Sequence, residues 1–232
     1  MERHAFVMFG PAHGVAVLLA VVAPLLLAAM VRRGLLSDRA VRCGLALLLL
    51  AGWLGWYLLF AARGWLSLGN ALPLNLCDWA DAALICALLR PGLRAYELGY
   101  FWGLCATLEG LATPDIAYGF PDPQFLLFMV NHGGIIAALL YLTLGTGLRP
   151  ATASLPRVLA ATLGYALVAG TADALLGTNY GFLRMPPAQR SLIGLLSSWP
   201  WYIPEMAAIG IASALLCYAP FAIRDVLRRQ RT

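Results

Sequence analysis

The side chains able to do chemistry are few and clustered. Cys77, Asp78 and Asp81 fall within Leu72-Pro73-Leu74-Asn75-Leu76-Cys77-Asp78-Trp79-Ala80-Asp81, a stretch that opens an apolar run. His132 stands between Asn131 and the pair Gly133-Gly134, inside another apolar run. Ionisable groups in such surroundings are costly and by default mark a functional site. A thiol and an imidazole supply a nucleophile and a general base or acid, the two functions acyl transfer requires. The expectation is that Cys77 and His132 share one pocket, within about 4–5 Å of each other in a substrate-free site, and act on a lipid.

Taken singly, each residue also has a plainer reading. Cys77 is a small packed side chain, and His132 is an interhelical hydrogen bonder. Asp115, Asp122 and Asp173, near span ends, are solvated or capping groups. Gly133 and Gly134 are packing glycines, and Trp199, Trp201 and Tyr202 form an interfacial belt. Glu109 resists such a reading because it sits within a span between Leu108 and Gly110. Pro73 suits a first helical turn, which would place Cys77 beyond that turn and past most of the helix dipole's reach. Asp81, four residues on, shares the helical face of Cys77.

The elements that must position these groups are membrane helices. The chain is 61% hydrophobic and 12% charged, whereas soluble domains sit near 45–50% and 25%. A soluble core of this size could not hide that much apolar surface, so the chain is an integral membrane protein. Its net charge of +5 then concerns membrane orientation and not nucleic acid. All sixteen basic residues are Arg, and without Lys no retinal Schiff base can form. Cys43, Cys77, Cys86, Cys105 and Cys217 are scattered and encode neither a disulfide framework nor a zinc ribbon. Arg32-Arg33 after the first apolar run reads as a stop signal, not as part of a cleavable leader.

Seven apolar segments stand out, at about 13–31, 43–61, 73–89, 97–113, 124–146, 157–177 and 202–223. The third and fourth are short, and tilt or broken helix is expected there. With seven spans, twelve Arg fall on one side. They are Arg32, Arg33, Arg39, Arg42, Arg90, Arg94, Arg149, Arg157, Arg224, Arg228, Arg229 and Arg231. Arg3, Arg63, Arg184 and Arg190 fall on the other. The expected fold is therefore all-α: residues 1–232 as one seven-helix transmembrane bundle, N-terminus outside and C-terminus cytoplasmic. In that topology the polar residues gather near the outer leaflet, and the inner halves of the spans hold almost no charge. His13, Cys77, Glu109, His132 and Glu205 share this depth, His132 lying about 12 Å into its segment. They are expected to line one cavity.

Several strings occur together in order: Leu-Pro-Leu-Asn-Leu-Cys-Asp (72–78), Thr-Pro-Asp (113–115), His-Gly-Gly (132–134), Asn-Tyr-Gly-Phe-Leu (179–183) and Trp-Pro-Trp-Tyr (199–202). In combination they resemble the bacterial YwaF-like integral membrane proteins, which are related to animal transmembrane protein 164, over nearly the whole chain. The animal relative is regarded as a phospholipid acyltransferase with a Cys nucleophile and a His partner. The resemblance implies Cys77 as acyl acceptor and His132 as base, with Asn179, Tyr180 and Glu205 lining the pocket. His13, Asn75, Asp78, Asp81, Glu109 and Arg184 complete the candidate set. One departure stands out: Asn75 occupies a position that is commonly His in the bacterial pattern. The implied protein works in the bacterial inner membrane on a phospholipid or acyl-lipid, as transferase or fatty-acyl ester hydrolase, with no cofactor or metal.

Other functions also use such residues. Buried Asp, Glu and His form proton relays in transporters and proton-coupled carriers, although those sites usually lie near the midplane between inverted repeats, and no repeat is visible here. A metal-dependent enzyme would have to draw on His13, His132 and a carboxylate, a thin ligand supply with three His in the chain. A non-catalytic sensor or assembly factor is a further possibility.

Overall fold

The structure, a computed structural model, describes residues 4–187 and 191–230. Arg3, Arg190 and Arg231 of the charge count lie outside them. The described residues form helices and connecting loops, with one isolated β-bridge between Ala5 and Tyr118. The long helices are α1 (Pro11–Arg32), α2 (Asp38–Ala62), α6 (Pro123–Leu144), α7 (Ser154–Leu176) and α8 (Tyr202–Arg229). All five are long and apolar enough to cross a membrane. Between α2 and α6 lie α3 (Leu76–Leu89) and a broken helix: α4 (Leu93–Trp102), a π-helical turn (Gly103–Thr107) and α5 (Leu108–Ala112).

Helix α6 is the hub, buried along most of its length. Its small residues let two neighbours approach. A Cβ on Gly133 would come 3.3 Å from Ala20 of α1, and one on Gly134 would come 3.0 Å from Leu49 of α2. In lipid, where apolar surface gives no preference for protein over solvent, such close backbone packing is what holds helices together. The π-helical turn lies on α6 for the same reason, since a Cβ on Gly103 would meet Leu139 at 2.5 Å. The helix ends follow local chemistry. Ser37 caps α2 by accepting from Ala40 N–H, and Asp122 caps α6 by accepting from Gln124 N–H at 2.8 Å, ahead of Pro123. Arg63 holds the same Asp122 carboxylate with two bonds of 3.0 and 2.9 Å.

Three expectations change. The third segment begins at Leu76 rather than Pro73, because residues 72–75 turn, with Leu74 N–H bonded to Leu72 O at 2.9 Å, and are tied to other elements; α3 has 14 residues. At 1.5 Å per residue it is about 21 Å long, short of the ~30 Å hydrocarbon core. The fourth segment is broken as expected, but by a π-helical turn, a feature that favours functional sites in helices. Finally, the end of the bundle assigned to the cytoplasm is not empty of charge. Glu97 of α4 is only 2% exposed and receives Arg157 Nε and Nη2 and Ser154 Oγ, each at 2.6 Å. A carboxylate this buried is tolerated because it is paired and fully hydrogen-bonded. It clamps α4 to α7.

Candidate functional site

The stretch carrying Cys77 is fixed atom by atom before α3 begins. Leu72 N–H donates to Tyr180 Oη at 3.0 Å, and Pro73 O accepts from Trp79 Nε1 at 3.1 Å. Leu74 O accepts from the Tyr165 hydroxyl at 3.0 Å. Asn75 N–H donates to Asp78 Oδ2 at 2.9 Å, the carboxylate half of a capping box. Because the helix starts at Leu76, Cys77 is its second residue, inside the first turn. It therefore lies where backbone N–H groups lack intrahelical partners and favour negative charge.

Asp78 carries the heaviest structural duty at the site. Its Oδ1 accepts from Trp53 Nε1 at 2.8 Å and from the Tyr57 hydroxyl at 3.2 Å, tying α2 to the start of α3. Asp78→Ala leaves three donors without an acceptor, each costing about 1–3 kcal/mol when buried. The expected loss is on the order of 3 kcal/mol, whereas Asp78→Asn, which keeps an acceptor, loses about 1 kcal/mol. Thermal unfolding of the two variants in detergent, side by side with wild type, checks the ranking. Equal stability of both variants would contradict the role.

His132 is set by packing. Its ring stacks on Phe128 with centroids 3.9 Å apart and planes 12° from parallel. Its Cδ2–Nε2 edge abuts Gly110, where an added Cβ would stand 3.1 and 3.3 Å from those atoms. His132 Nδ1 is buried without a hydrogen-bond partner among the described residues. The preceding Asn131 donates to Asp81 Oδ2 at 2.6 Å, while Asp81 Oδ1 is buried and has no hydrogen-bond partner among the described residues.

These groups meet at a cavity of about 870 Å³. Cys77, His132, Asn75, Asp78 and Glu109 all line it, although no hydrogen bond joins the Cys77 thiol to the His132 ring. Other candidates lie elsewhere. His13 is 2% exposed and away from the cavity. Its Nδ1 accepts from Phe9 N–H at 3.0 Å, closing the start of α1, and its Nε2 pairs with Leu111 O at 2.8 Å, holding α1 against α5, so both nitrogens are spent. Asp81 lies behind the cavity wall on Asn131. Glu205 turns to Ser197, accepting from its N–H at 2.9 Å and from its hydroxyl.

Asn179, Tyr180 and Arg184 shape the loop after α7 and do not line the cavity. Asn179 bonds the backbone of Arg184 and Met185, Tyr180 pins residues 68–72, and Arg184 reaches the carbonyls of Asp173 and Thr178. Asp173 is fully buried, not solvated, and accepts from Thr178 Oγ1 and Tyr180 N–H at 2.7 Å. Among the described residues, no three His, Cys, Asp or Glu side chains gather to hold a metal.

Sequence reasoning missed Trp53, Tyr57 and Tyr165. Trp53 and Tyr57 are one helical turn apart, so two aromatic residues with polar tips on one face of an apolar segment were the available signal.

Helices of membrane-crossing length around a largely apolar cavity with a polar end define a helical integral membrane protein with an internal site. The family model for the TMEM164 family matches residues 8–218, and the chain belongs to that family. No curated protein and no solved structure matches it.

Proposed function

We propose that this protein transfers or hydrolyses fatty-acyl groups of membrane lipids through Cys77 and His132. The observation that carries the reading is that a thiol in the first turn of α3 and an imidazole held by stacking line one cavity whose remaining wall is mostly hydrocarbon. Cys77 Sγ attacks the ester carbonyl of the donor. His132 takes the thiol proton and passes it to the departing alcohol oxygen, leaving a thioester. The first-turn N–H groups of Leu76 and Cys77, ahead of the Asp78 N–H that Asn75 takes, are the donors on offer to the negative charge that develops on the carbonyl oxygen. An acceptor hydroxyl or water then attacks the thioester, its proton passing through His132 to the thiolate. No hydrogen bond links the two side chains, and their contact forms with substrate or across one water, as catalytic contacts commonly do. The test is to incubate purified protein with defined phospholipids and lysolipids and follow products by lipid mass spectrometry. Absence of any acyl exchange or hydrolysis across phospholipid classes would count against the reading.

The same reading takes seven spans with the N-terminus outside and the cavity's polar end near the outer leaflet. The support is the twelve-to-four split of Arg together with seven consecutive helical segments, counting α4, the π-helical turn and α5 as one. Reporter fusions at the two termini are expected to report opposite sides of the membrane. Both termini on one side would overturn the topology.

A further inference from the structure

The cavity is not closed along its apolar length. Leu159 and Leu163 of α7 and Ile211 and Leu215 of α8 all line it, yet they are 45, 63, 47 and 54% exposed. The same side chains face both the cavity and the outside, so the cavity opens between these two helices. The helices touch each other only sparsely. Helix α8 is tied at its start, where the Tyr202 hydroxyl donates to Phe182 O at 2.6 Å and Glu205 holds Ser197. It is tied again further on, where Cys217 O accepts from the Tyr100 hydroxyl at 3.1 Å, Tyr218 meets Thr152 at 2.7 Å and Asp225 pairs with Arg149. Among the described residues, no side-chain hydrogen bond or ion pair fastens residues 206 to 216 of α8 to another element. That middle stretch borders the opening.

The dimensions identify the occupant. The cavity-lining residues run from Leu155 to Ala166 on α7 and from Ile203 to Leu215 on α8, about 16–18 Å at 1.5 Å per residue. That is close to the thickness of one leaflet of a ~30 Å hydrocarbon core. An apolar slot of this length, opening sideways between membrane helices, meets only lipid tails. At the Tyr165 end of this stretch, where the Tyr165 hydroxyl meets Leu74 O just before α3, the lining also includes Asn75, Cys77 and Asp78.

We propose that the gap between α7 and α8 is a lateral portal through which one acyl chain of a bilayer lipid enters, with its carbonyl end brought to the level of Cys77. The portal deepens the acyl-transfer reading and rests on it for the position of the carbonyl. Binding of the chain itself is separable from the chemistry. Gly210 lines the cavity, and a Cβ there would meet no atom within 4 Å. Gly210→Trp starts its side chain in open space and is a first obstruction of the slot, and Ala214→Phe, one helical turn along the same wall, is a second. Gly210→Ala adds only a methyl group to open space and serves as the folding control.

The experiment reconstitutes wild type, Cys77→Ala and the slot variants in phosphatidylcholine bilayers. The bilayers are doped with phosphatidylcholine bearing a photoreactive diazirine at the end of one acyl chain. Cross-linked residues are read by peptide mass spectrometry. Expected is labelling at the buried cavity residues Phe101 or Val158, or at Met206, in wild type, Cys77→Ala and Gly210→Ala alike. That labelling falls to background in Gly210→Trp and Ala214→Phe, while labelling of the outward Leu167 and Leu216 stays unchanged. Cavity labelling that survives both obstructions, or label confined to outward residues in every protein, overturns the portal. Expected labelling in a protein that converts no lipid keeps the portal and removes the acyl-transfer reading instead.

Discussion

Cys77→Ala is expected to abolish turnover on whatever lipid the wild type converts, a fall of about 10⁴–10⁶-fold, because removing a nucleophile disables the whole catalytic unit. The variant should fold, since no hydrogen bond depends on the thiol and the surroundings of α3 are held by Asp78, Tyr165 and Tyr180. Cys77→Ser is the sharper form of the test, because a hydroxyl is a weak nucleophile without a strongly placed base. Cys105 is the other thiol lining the cavity, so Cys105→Ala is the informative comparison and should retain turnover. A proton-coupled carrier would behave in the opposite way. It would tolerate Cys77→Ala and lose transport when Glu109 or Asp81 is neutralised. Initial rates on one lipid for all these variants decide between the two.

The second large effect is at His132. His132→Ala should slow both formation and breakdown of the thioester by roughly 10²–10⁴-fold if its role is general acid–base catalysis. The thiol remains, so residual turnover should exceed that of Cys77→Ala. His132→Phe is a useful companion: it preserves stacking on Phe128 but removes both nitrogens, so it should be as inactive as His132→Ala while remaining more stable. If His132→Phe keeps wild-type rates, the imidazole only packs. Single-turnover measurements separate the two half-reactions.

The helices themselves were legible. Runs of apolar residues marked every long helix, missing the polar first turn of α2 by five residues and the charged end of α8 by six, because a membrane demands an uninterrupted hydrocarbon exterior. The facing direction of each residue was not legible. A membrane helix is apolar on its lipid side and on its packed side alike, so periodicity carries little information about rotation. This is why His13 and Glu205 shared the expected depth yet turn to Phe9 and Leu111 in one case and to Ser197 in the other. It is also why Asp81, on the expected face of Cys77, ends on Asn131.

The start of α3 was misjudged because Pro73 fits a first helical turn locally. The non-helical path of residues 72–75 is held by Tyr165 and Tyr180, about a hundred residues away in the chain. Glu97 and Arg157, 60 residues apart, pair across a gap that no local pattern reveals. The π-helical turn at Gly103–Thr107 depends on packing against α6 and leaves no mark in residue type.

The most direct test of the account is the acyl-enzyme itself. Wild type and His132→Ala are incubated with a phospholipid carrying an isotope-labelled acyl chain, quenched in acid and digested, and the cysteine peptides are weighed. The account predicts labelled acyl on the Cys77 peptide, removed by hydroxylamine as a thioester should be, and accumulating more slowly in His132→Ala. Turnover that proceeds with Cys77 unmodified, or labelled acyl carried by Cys105 instead, would contradict it.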